Sequence, residues 1–304
     1  MTASASIASH GRPSRGRVWL LAARPATLPV SISPVLVGAS VAAHDHRVRI
    51  AAALLALVVA LALQVGVNYG NDYSDFKRGA DTPARIGPVR AAASGLIPPR
   101  HVLYAALASF GVAAAAGFAV ALIAAPWLIA VGAACIAAAW FYTGGPRPYG
   151  YAGFGELFVF VFFGLVATCG TTFVNEGRVT LLAVLGGVAM GCFAVAVLLL
   201  NNIRDVDTDA AANKRTLAVR IGRPRARRAL IAAFAIAYAM PVVAVLTGRV
   251  AALALVTLAT APLAVVPLRN SAQRAGPALI RALVTTVRTM SVFAIAWALS
   301  LVFS

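Results

Sequence analysis

The chain has 304 residues, of which 61% are hydrophobic and 12% are charged, and its mean hydropathy is +0.86. Soluble globular proteins are about 45–50% apolar and about 25% charged, so this composition excludes a soluble globular fold, a disordered chain and a disulfide-bonded scaffold. It predicts an all-α, polytopic membrane protein. The formal net charge of +17 does not indicate nucleic-acid binding, because excess Lys and Arg in membrane proteins mark the cytoplasmic loops.

The N-terminal residues contain Arg12, Arg15 and Arg17, followed by a short apolar stretch that runs into Pro25. A removable signal peptide ends instead in small residues at a cleavage site. We therefore interpret residues 1–23 as a cytoplasmic segment and residues 24–304 as a single transmembrane domain.

Apolar runs dominate the remainder of the chain. A helix needs about 20 apolar residues to cross the hydrocarbon core. Nine runs meet or approach this length, at approximately 26–43, 50–70, 102–123, 127–143, 154–174, 180–201, 228–247, 250–268 and 285–303. If the N-terminus is inside, 22 of the 26 basic residues lie on the cytoplasmic side. This asymmetry predicts that orientation in a cell (inner) membrane.

The three cysteines, Cys135, Cys169 and Cys192, all lie within apolar runs. They have no paired spacing and no neighbouring histidine. Disulfide frameworks and structural zinc sites show such spacing, so we expect neither here.

Two long inner loops, residues 71–101 and 202–227, are predicted to carry the chemistry. Six of the nine acidic residues lie in these loops or at their mouths: Asp72, Asp75, Asp81, Asp205, Asp207 and Asp209. Both lysines of the chain, Lys77 and Lys214, lie there as well. Membrane topology requires basic loops but not acidic ones, so the acids indicate a functional site.

Helical periodicity places each set of acids on one face at the inner end of a span, at 100° per residue. The two faces consist of Asn68, Asp72 and Asp75 on the second span and of Asn201, Asp205 and Asp209 on the sixth. Asp207 lies about 200° from Asp205 on the same helix and is predicted to point away.

Carboxylates crowded near hydrocarbon need a cation, because each ionised group there costs about 2.5–3.5 kcal/mol even on the mildest scale. Oxygen ligands without His or Cys select Mg²⁺, with Mn²⁺ as the alternative. Two facing clusters would bind a diphosphate through bridging Mg²⁺ ions. We therefore predict that Asp72, Asp75, Asp205 and Asp209 are the metal-binding, catalytic acids.

Basic side chains interleaved with the acids would bind the remaining phosphate oxygens. The predicted substrate-binding residues are Lys77, Arg78, Arg85, Arg90, Lys214 and Arg215, the asparagines Asn68, Asn71 and Asn201, and Arg24, Tyr142 and Arg147 at the ends of two other spans. Solvated loop charges and an interfacial aromatic anchor are the alternative interpretation of the charged residues and of Tyr142. Glu156 is interpreted as a helix N-terminal charge.

The two acidic segments resemble a known family. Asn71-Asp72-Tyr73-Ser74-Asp75 and Asn201-Asn202-Ile203-Arg204-Asp205-Val206-Asp207-Thr208-Asp209 are similar to the aspartate-rich motifs of the UbiA superfamily of intramembrane aromatic prenyltransferases, which also has nine helices. Residues 24–29, 87–90 and 142–151 resemble its menaquinone branch. The chain departs from the superfamily spacing at Gly79, where a further acid is usual, and we assign Asp81 a loop role.

The resemblance implies a reaction. Mg²⁺ on the four aspartates would hold a polyprenyl diphosphate and stabilise the leaving diphosphate. The ring of 1,4-dihydroxy-2-naphthoate would attack the resulting allyl cation at its carboxylated carbon, and loss of CO₂ would give demethylmenaquinol. The insoluble prenyl chain would enter from the lipid bilayer.

Several alternatives remain open. A related prenyltransferase could act on 4-hydroxybenzoate, homogentisate or a sugar phosphate. A CDP-alcohol phosphatidyltransferase would show an Asp-Gly pair followed by Ala-Arg between its acids, which is absent here. An ion or phosphate transporter would place acids near mid-span. The sequence assigns neither a prenyl chain length nor an oligomeric state.

Overall fold

The computed structural model describes residues 14–80, 90–95, 97–273 and 276–303. Within these ranges all regular structure is helical. The helices are α1 (Arg15–Ala23), α2 (Pro29–His44), α3 (Ile50–Lys77), α4 (Pro99–Ile123), α5 (Leu128–Phe141), α6 (Gly155–Glu176), α7 (Leu181–Ala211), α8 (Leu217–Leu246), α9 (Ala252–Asn270) and α10 (Pro277–Val302). The prediction of an all-α, multi-pass membrane protein is confirmed.

Not all nine predicted spans are long enough to cross a bilayer. Seven helices of the described ranges pass by length and composition: α3, α4 and α6 to α10. The stretches Arg15–Thr27 and Pro29–His44 form an eighth candidate, bent by 46° where Pro25 and Pro29 interrupt the backbone hydrogen bonds. α5 has 14 residues, which give about 21 Å of helix, so the fourth predicted span is shorter than the hydrocarbon core.

The two inner loops are shorter in the structure than was predicted from the sequence. α3 continues to Lys77 and α7 continues to Ala211. α8 begins at Leu217, so only residues 212–216 join α7 to α8. Hydropathy reports where a chain leaves hydrocarbon, whereas a helix continues while its polar side chains find partners. The described acids of both clusters therefore lie on helical extensions, which hold them more rigidly than loops would.

α7 is the central helix of the bundle. It packs against α2, α6, α8 and α10, and 72% of its most apolar stretch is buried. Phe193 of α7 contacts Phe234 of α8 and Phe293 of α10 in a tilted and edge-on aromatic cluster. The helix that carries Asp205 and Asp209 is thus fixed from several sides.

Close packing of α6 against α7 depends on Gly164. A Cβ atom at this position would lie 2.5 Å from the Cα of Gly191 and 2.6 Å from the carbonyl oxygen of Gly187. Both are backbone atoms, so no side-chain rotation can make room. We expect Gly164→Ala to destabilise the protein by about 1–3 kcal/mol, measured as a lower Tm in detergent. Gly170→Ala, in the same helix but with open space around the Cβ position, is the control and should leave Tm unchanged.

Candidate active site

The two acidic clusters meet at one end of the bundle. Asp75 on α3 and Asp205 and Asp209 on α7 are all buried, with 3–8% of their surface exposed. The ammonium nitrogen of Lys214 lies 3.9 Å from a carboxylate oxygen of Asp75 and 3.9 Å from one of Asp209. Those two oxygens are therefore no more than twice that distance apart, so Asp75 and Asp209 face each other across Lys214.

Arginines neutralise the same acids. The Arg90 guanidinium donates to Asp75 at 3.0 Å and is itself 8% exposed. The Arg204 guanidinium donates to both oxygens of Asp205, each at 2.7 Å, which is the two-pronged geometry that suits a carboxylate or a phosphate. Arg204 was not among the residues predicted to bind substrate; its position next to Asp205 was the available signal.

Tyr151, for which no individual role was predicted, links the two clusters. Its hydroxyl donates to Asp75 at 2.8 Å. The Lys214 ammonium lies 5.0 Å from the centre of its ring, and the Arg78 guanidinium lies 5.4 Å from it. The backbone N–H of Arg215 donates to the Tyr151 carbonyl oxygen at 3.0 Å. Cations at this distance from an aromatic face are attracted by the ring, so Tyr151 holds basic side chains beside the acids.

Asp72 faces a different partner from the other three aspartates. It is 1% exposed, and its two oxygens accept the backbone N–H groups of Ala91 at 2.6 Å and of Ala92 at 3.0 Å. The sequence predicts a metal ligand at Asp72 as at Asp75; in the structure its two oxygens hold the segment that follows Arg90.

An elongated cavity of about 290 Å³ begins next to the acids. Its polar end is lined by Arg24, Asn68, Asn71, Tyr142, Tyr149 and Asn201. Asn71 precedes Asp75 by four residues and Asn201 precedes Asp205 by four, so each acid lies one helical turn beyond an asparagine of the cavity mouth. Asn68 donates to the Ala23 carbonyl at 2.9 Å, and Asn71 accepts from Thr143 at 2.6 Å.

Away from this mouth the cavity wall is apolar. It extends along α3 from Asn71 to Ala56, which is about 22 Å at 1.5 Å per residue. Leu128 of α5 and Val174 of α6 line its far end. Residues Phe160–Val166 of α6 form a π-helical turn, a feature common at functional sites, and Phe162, Phe163 and Val166 of this turn line the wall. The cavity can hold a long apolar chain whose polar end lies at the acids.

Several predicted substrate-binding residues do not lie against the acids. The side chains of Lys77, Arg147 and Arg215 are exposed, and no ion pair joins them to an aspartate in the part of the chain that the structure describes. Arg78 donates to the Gly145 carbonyl. Arg85, like Asp81, lies outside the described residues.

Two further acids have clear partners. Asp207 is exposed and pairs with Arg223 at 3.1 Å, which agrees with the predicted outward direction. Glu156 is 6% exposed and accepts a hydrogen bond from Asn202 at 2.8 Å. Its interpretation as a helix N-terminal charge is therefore incomplete, because the side chain also ties α6 to α7 beside the second cluster.

The donor chemistry of the site fits a divalent cation. Asp75, Asp205 and Asp209 offer hard carboxylate oxygens, which suit Mg²⁺, and the Lys214 ammonium is already held between two of them. Over the described residues, three or more His, Cys, Asp or Glu side chains do not converge on one point in a ready-made metal cage. Mg²⁺ usually binds one or two carboxylates together with substrate phosphates, so an open arrangement of this kind suits Mg²⁺ bound with a diphosphate.

Known proteins are similar to this chain in sequence and in fold. The family described as "UbiA prenyltransferase family" matches residues 31–293. A Mycobacterium tuberculosis protein named 1,4-dihydroxy-2-naphthoate octaprenyltransferase is 49% identical over 94% of this chain and 97% of its own length. The Escherichia coli protein of the same name is 37% identical over 71% of this chain and 72% of its own length.

Solved structures agree in fold. A UbiA homolog from Archaeoglobus fulgidus, solved with DMAPP and Mg²⁺ bound, superposes with a TM-score of 0.67 at 16% identity, covering 94% of this chain and 99% of that one. The apo structure of a UbiA homolog from Aeropyrum pernix K1 gives a TM-score of 0.68 at 17% identity, covering 88% and 96%. With its two converging acidic clusters at the mouth of an apolar cavity, the chain belongs to the UbiA prenyltransferase family.

Proposed function

We propose that this protein transfers a polyprenyl chain from a polyprenyl diphosphate to 1,4-dihydroxy-2-naphthoate, releasing diphosphate and CO₂ and giving demethylmenaquinol. The observation that carries the proposal is the junction of the buried acids of α3 and α7 with the apolar cavity about 22 Å long. The mycobacterial relative, similar over almost its whole length, supports the naphthoate as acceptor.

The diphosphate end would bind at the acids. Asp75, Asp205 and Asp209 would hold Mg²⁺, or Mn²⁺ in its place, and the bound metal would supply positive charge to the leaving diphosphate. Lys214, Arg90 and Arg204 already lie beside these carboxylates. Their cationic groups would bind phosphate oxygens from these positions and stabilise the charge that develops as the allylic C–O bond breaks.

The prenyl chain would lie along the apolar wall of α3, α5 and α6. This wall excludes water, so the allyl cation reacts with the acceptor ring rather than being hydrolysed. The chain is insoluble in water, which favours entry from the lipid side.

The naphthoate would bind at the polar mouth of the cavity. Arg24 lies there and can pair with its carboxylate, and the Tyr142 ring can pack against the cation or the acceptor. The ring carbon that bears the carboxylate forms the new C–C bond to the prenyl carbon. The bond to the carboxylate then breaks, CO₂ leaves, and its electron pair restores the aromatic ring, so the atoms and charges balance.

This function fits a particular placement in the cell. We propose that residues 24–304 form one domain in the cell membrane, with nine membrane-embedded segments, the short α5 included. The acids and the N-terminus lie on the cytoplasmic side, as the distribution of basic residues favours. A diphosphate and a naphthoate made in the cytosol reach the acids directly on that side.

The cavity can be tested through Cys135, which lines it on α5. In a Cys169→Ser background we expect a lipid-permeable maleimide to label Cys135, and farnesyl diphosphate with Mg²⁺ to slow the labelling at least about tenfold. Cys192 is buried, and a Cys135→Ser variant reports the remaining background. Labelling at the same rate with and without farnesyl diphosphate would place the prenyl chain elsewhere.

The acceptor is tested by offering labelled polyprenyl diphosphate and Mg²⁺ to the purified protein with each acceptor in turn. We expect lipid product with the naphthoate, and none with 4-hydroxybenzoate, homogentisate or a sugar phosphate. Asp207→Asn, which changes an exposed acid outside the site, should retain wild-type turnover. If lipid product formed only with another acceptor, that molecule and not the naphthoate would be the substrate, and the proposed prenyl-transfer chemistry would still apply.

A further inference from the structure

Asp72 is the most deeply buried of the four motif aspartates, at 1% exposed. Both of its oxygens are engaged by backbone N–H groups, from Ala91 at 2.6 Å and from Ala92 at 3.0 Å. Hydrogen bonds from N–H groups to an ionised carboxylate are about twice as strong as neutral ones. This pair of bonds crosses from α3 to a segment about twenty residues further along the chain, so it fixes that segment against α3.

The anchored segment is a turn of residues 90–94. The Ser94 N–H donates to the Arg90 carbonyl at 2.9 Å, and the Ser94 hydroxyl donates to the Ala91 carbonyl at 2.8 Å. The first N–H groups of a helical turn have no partner within it. Asp72 satisfies two of them and acts as a capping residue supplied by another helix.

Apolar contacts also hold the turn. The side chains of Ala91 and Ala92 are buried in a small apolar cluster with Val18 and Ala22 of α1. Hydrogen bonds on one side and apolar contacts on the other leave the turn little freedom to move.

Arg90 is the first residue of this turn, and its guanidinium donates to Asp75 at 3.0 Å. Asp75 in turn lies beside Lys214, which also approaches Asp209. A flexible arginine loses side-chain freedom each time it binds a phosphate. An arginine held in place by its backbone and by Asp75 has already lost most of that freedom before substrate binds.

We infer that Asp72 is a positioning residue: by capping the 90–94 turn it holds the Arg90 guanidinium at the diphosphate site, and it is not a ligand of the metal. The inference rests on the proposed function, because that function supplies the diphosphate. By this inference Asp72 and Asp75 have different roles, although they lie three residues apart in one acidic motif.

The test is a double-mutant cycle of Asp72→Asn and Arg90→Met in the full-length protein. Three quantities are measured for each variant: the Kd of farnesyl diphosphate in EDTA by calorimetry, the KM for polyprenyl diphosphate, and the Mg²⁺ concentration that gives half-maximal rate. We expect Asp72→Asn to raise Kd and KM about tenfold, as loss of hydrogen bonds to a charged group predicts. The half-maximal Mg²⁺ concentration should stay within about twofold of wild type.

The double variant decides whether Asp72 acts through Arg90. If it does, Asp72→Asn has no further effect on Kd in the Arg90→Met background, because residues that act as one unit are not additive. A merely structural role would lower Tm without this coupling. Full additivity, or a rise above tenfold in the half-maximal Mg²⁺ concentration with an unchanged Kd in EDTA, would overturn the inference.

Two controls keep the outcome interpretable. If Asp72→Asn does not fold, Asp72→Ser, whose hydroxyl can still accept one N–H, carries the same cycle. If the wild-type protein binds farnesyl diphosphate but transfers nothing to the naphthoate, the proposed function fails. In that case the calorimetric cycle in EDTA still decides the role of Asp72.

Discussion

Replacing Asp75 with Asn is expected to lower turnover by about a thousandfold, a loss typical of removing a group that stabilises the transition-state charge, while the protein stays folded. Asp75 accepts hydrogen bonds from both Arg90 and Tyr151 and lies beside Lys214. Asparagine keeps the size of the side chain and one acceptor oxygen, but it removes the negative charge that faces its three partners and that we propose binds the metal. The measurement is kcat with saturating polyprenyl diphosphate and Mg²⁺.

The matched control for this variant is Asp207→Asn. Asp207 carries the same charge on the helix of the second cluster, but it is exposed and pairs with Arg223. Its loss should change kcat by less than about twofold, because surface ion pairs contribute at most about 1 kcal/mol. Equal losses in the two variants would mean that the acids act through the overall charge of this face and not at one site.

We expect Lys214→Met to make the stability of the protein depend on Mg²⁺. The Lys214 ammonium is the described cation that approaches both Asp75 and Asp209. Removing one partner of a buried ion pair costs about 3–5 kcal/mol, and because Arg90 and Tyr151 still donate to Asp75, we expect a loss near the lower end of that range. We expect a large fall in Tm in EDTA.

Mg²⁺ should restore much of the lost Tm in Lys214→Met, because an ion that binds only the folded state stabilises it by mass action. Arg225→Met, which removes an exposed cation elsewhere on α8, should show neither the loss nor the rescue. A Tm of Lys214→Met that does not respond to Mg²⁺ would mean that Asp75 and Asp209 do not share a divalent cation.

The shared helical face of the second acidic cluster could be predicted because it follows from local periodicity. Four-residue spacing in Asn201, Asp205 and Asp209 sets one helical face. The same rule predicts that Asp207 points away from this face, and in the structure Asp207 is exposed and pairs with Arg223. These conclusions need only the geometry of a single helix.

The positions of the helix ends could be predicted less accurately from the sequence. The apolar run of the second span stops near residue 70, but α3 continues to Lys77 because its polar side chains bond to the 90–94 turn and to Tyr151. The short α5 looked like a full span because its composition is apolar throughout, whereas its 14 residues give it too little length. Composition does not report where backbone hydrogen bonding stops.

The partners of the acids could not be predicted, because they are far away in sequence. Tyr151 reaches Asp75 across 76 positions, and Glu156 meets Asn202 across 46. The contacts of Asp72 are the clearest case: periodicity places Asp72 and Asp75 on one face of α3, yet the oxygens of Asp72 accept the N–H groups of a turn about twenty residues away. Only tertiary packing distinguishes two aspartates of one motif.

We propose that the acids and the cavity carry out prenyl transfer coupled to decarboxylation of the naphthoate. The most direct measurement is the release of labelled CO₂ from carboxyl-labelled 1,4-dihydroxy-2-naphthoate by the protein in lipid vesicles, followed together with labelled prenyl lipid. We predict one CO₂ for each prenyl chain transferred, with both abolished by EDTA and by Asp75→Asn. Prenylated lipid that retains the carboxylate, or CO₂ released without polyprenyl diphosphate, would contradict the account.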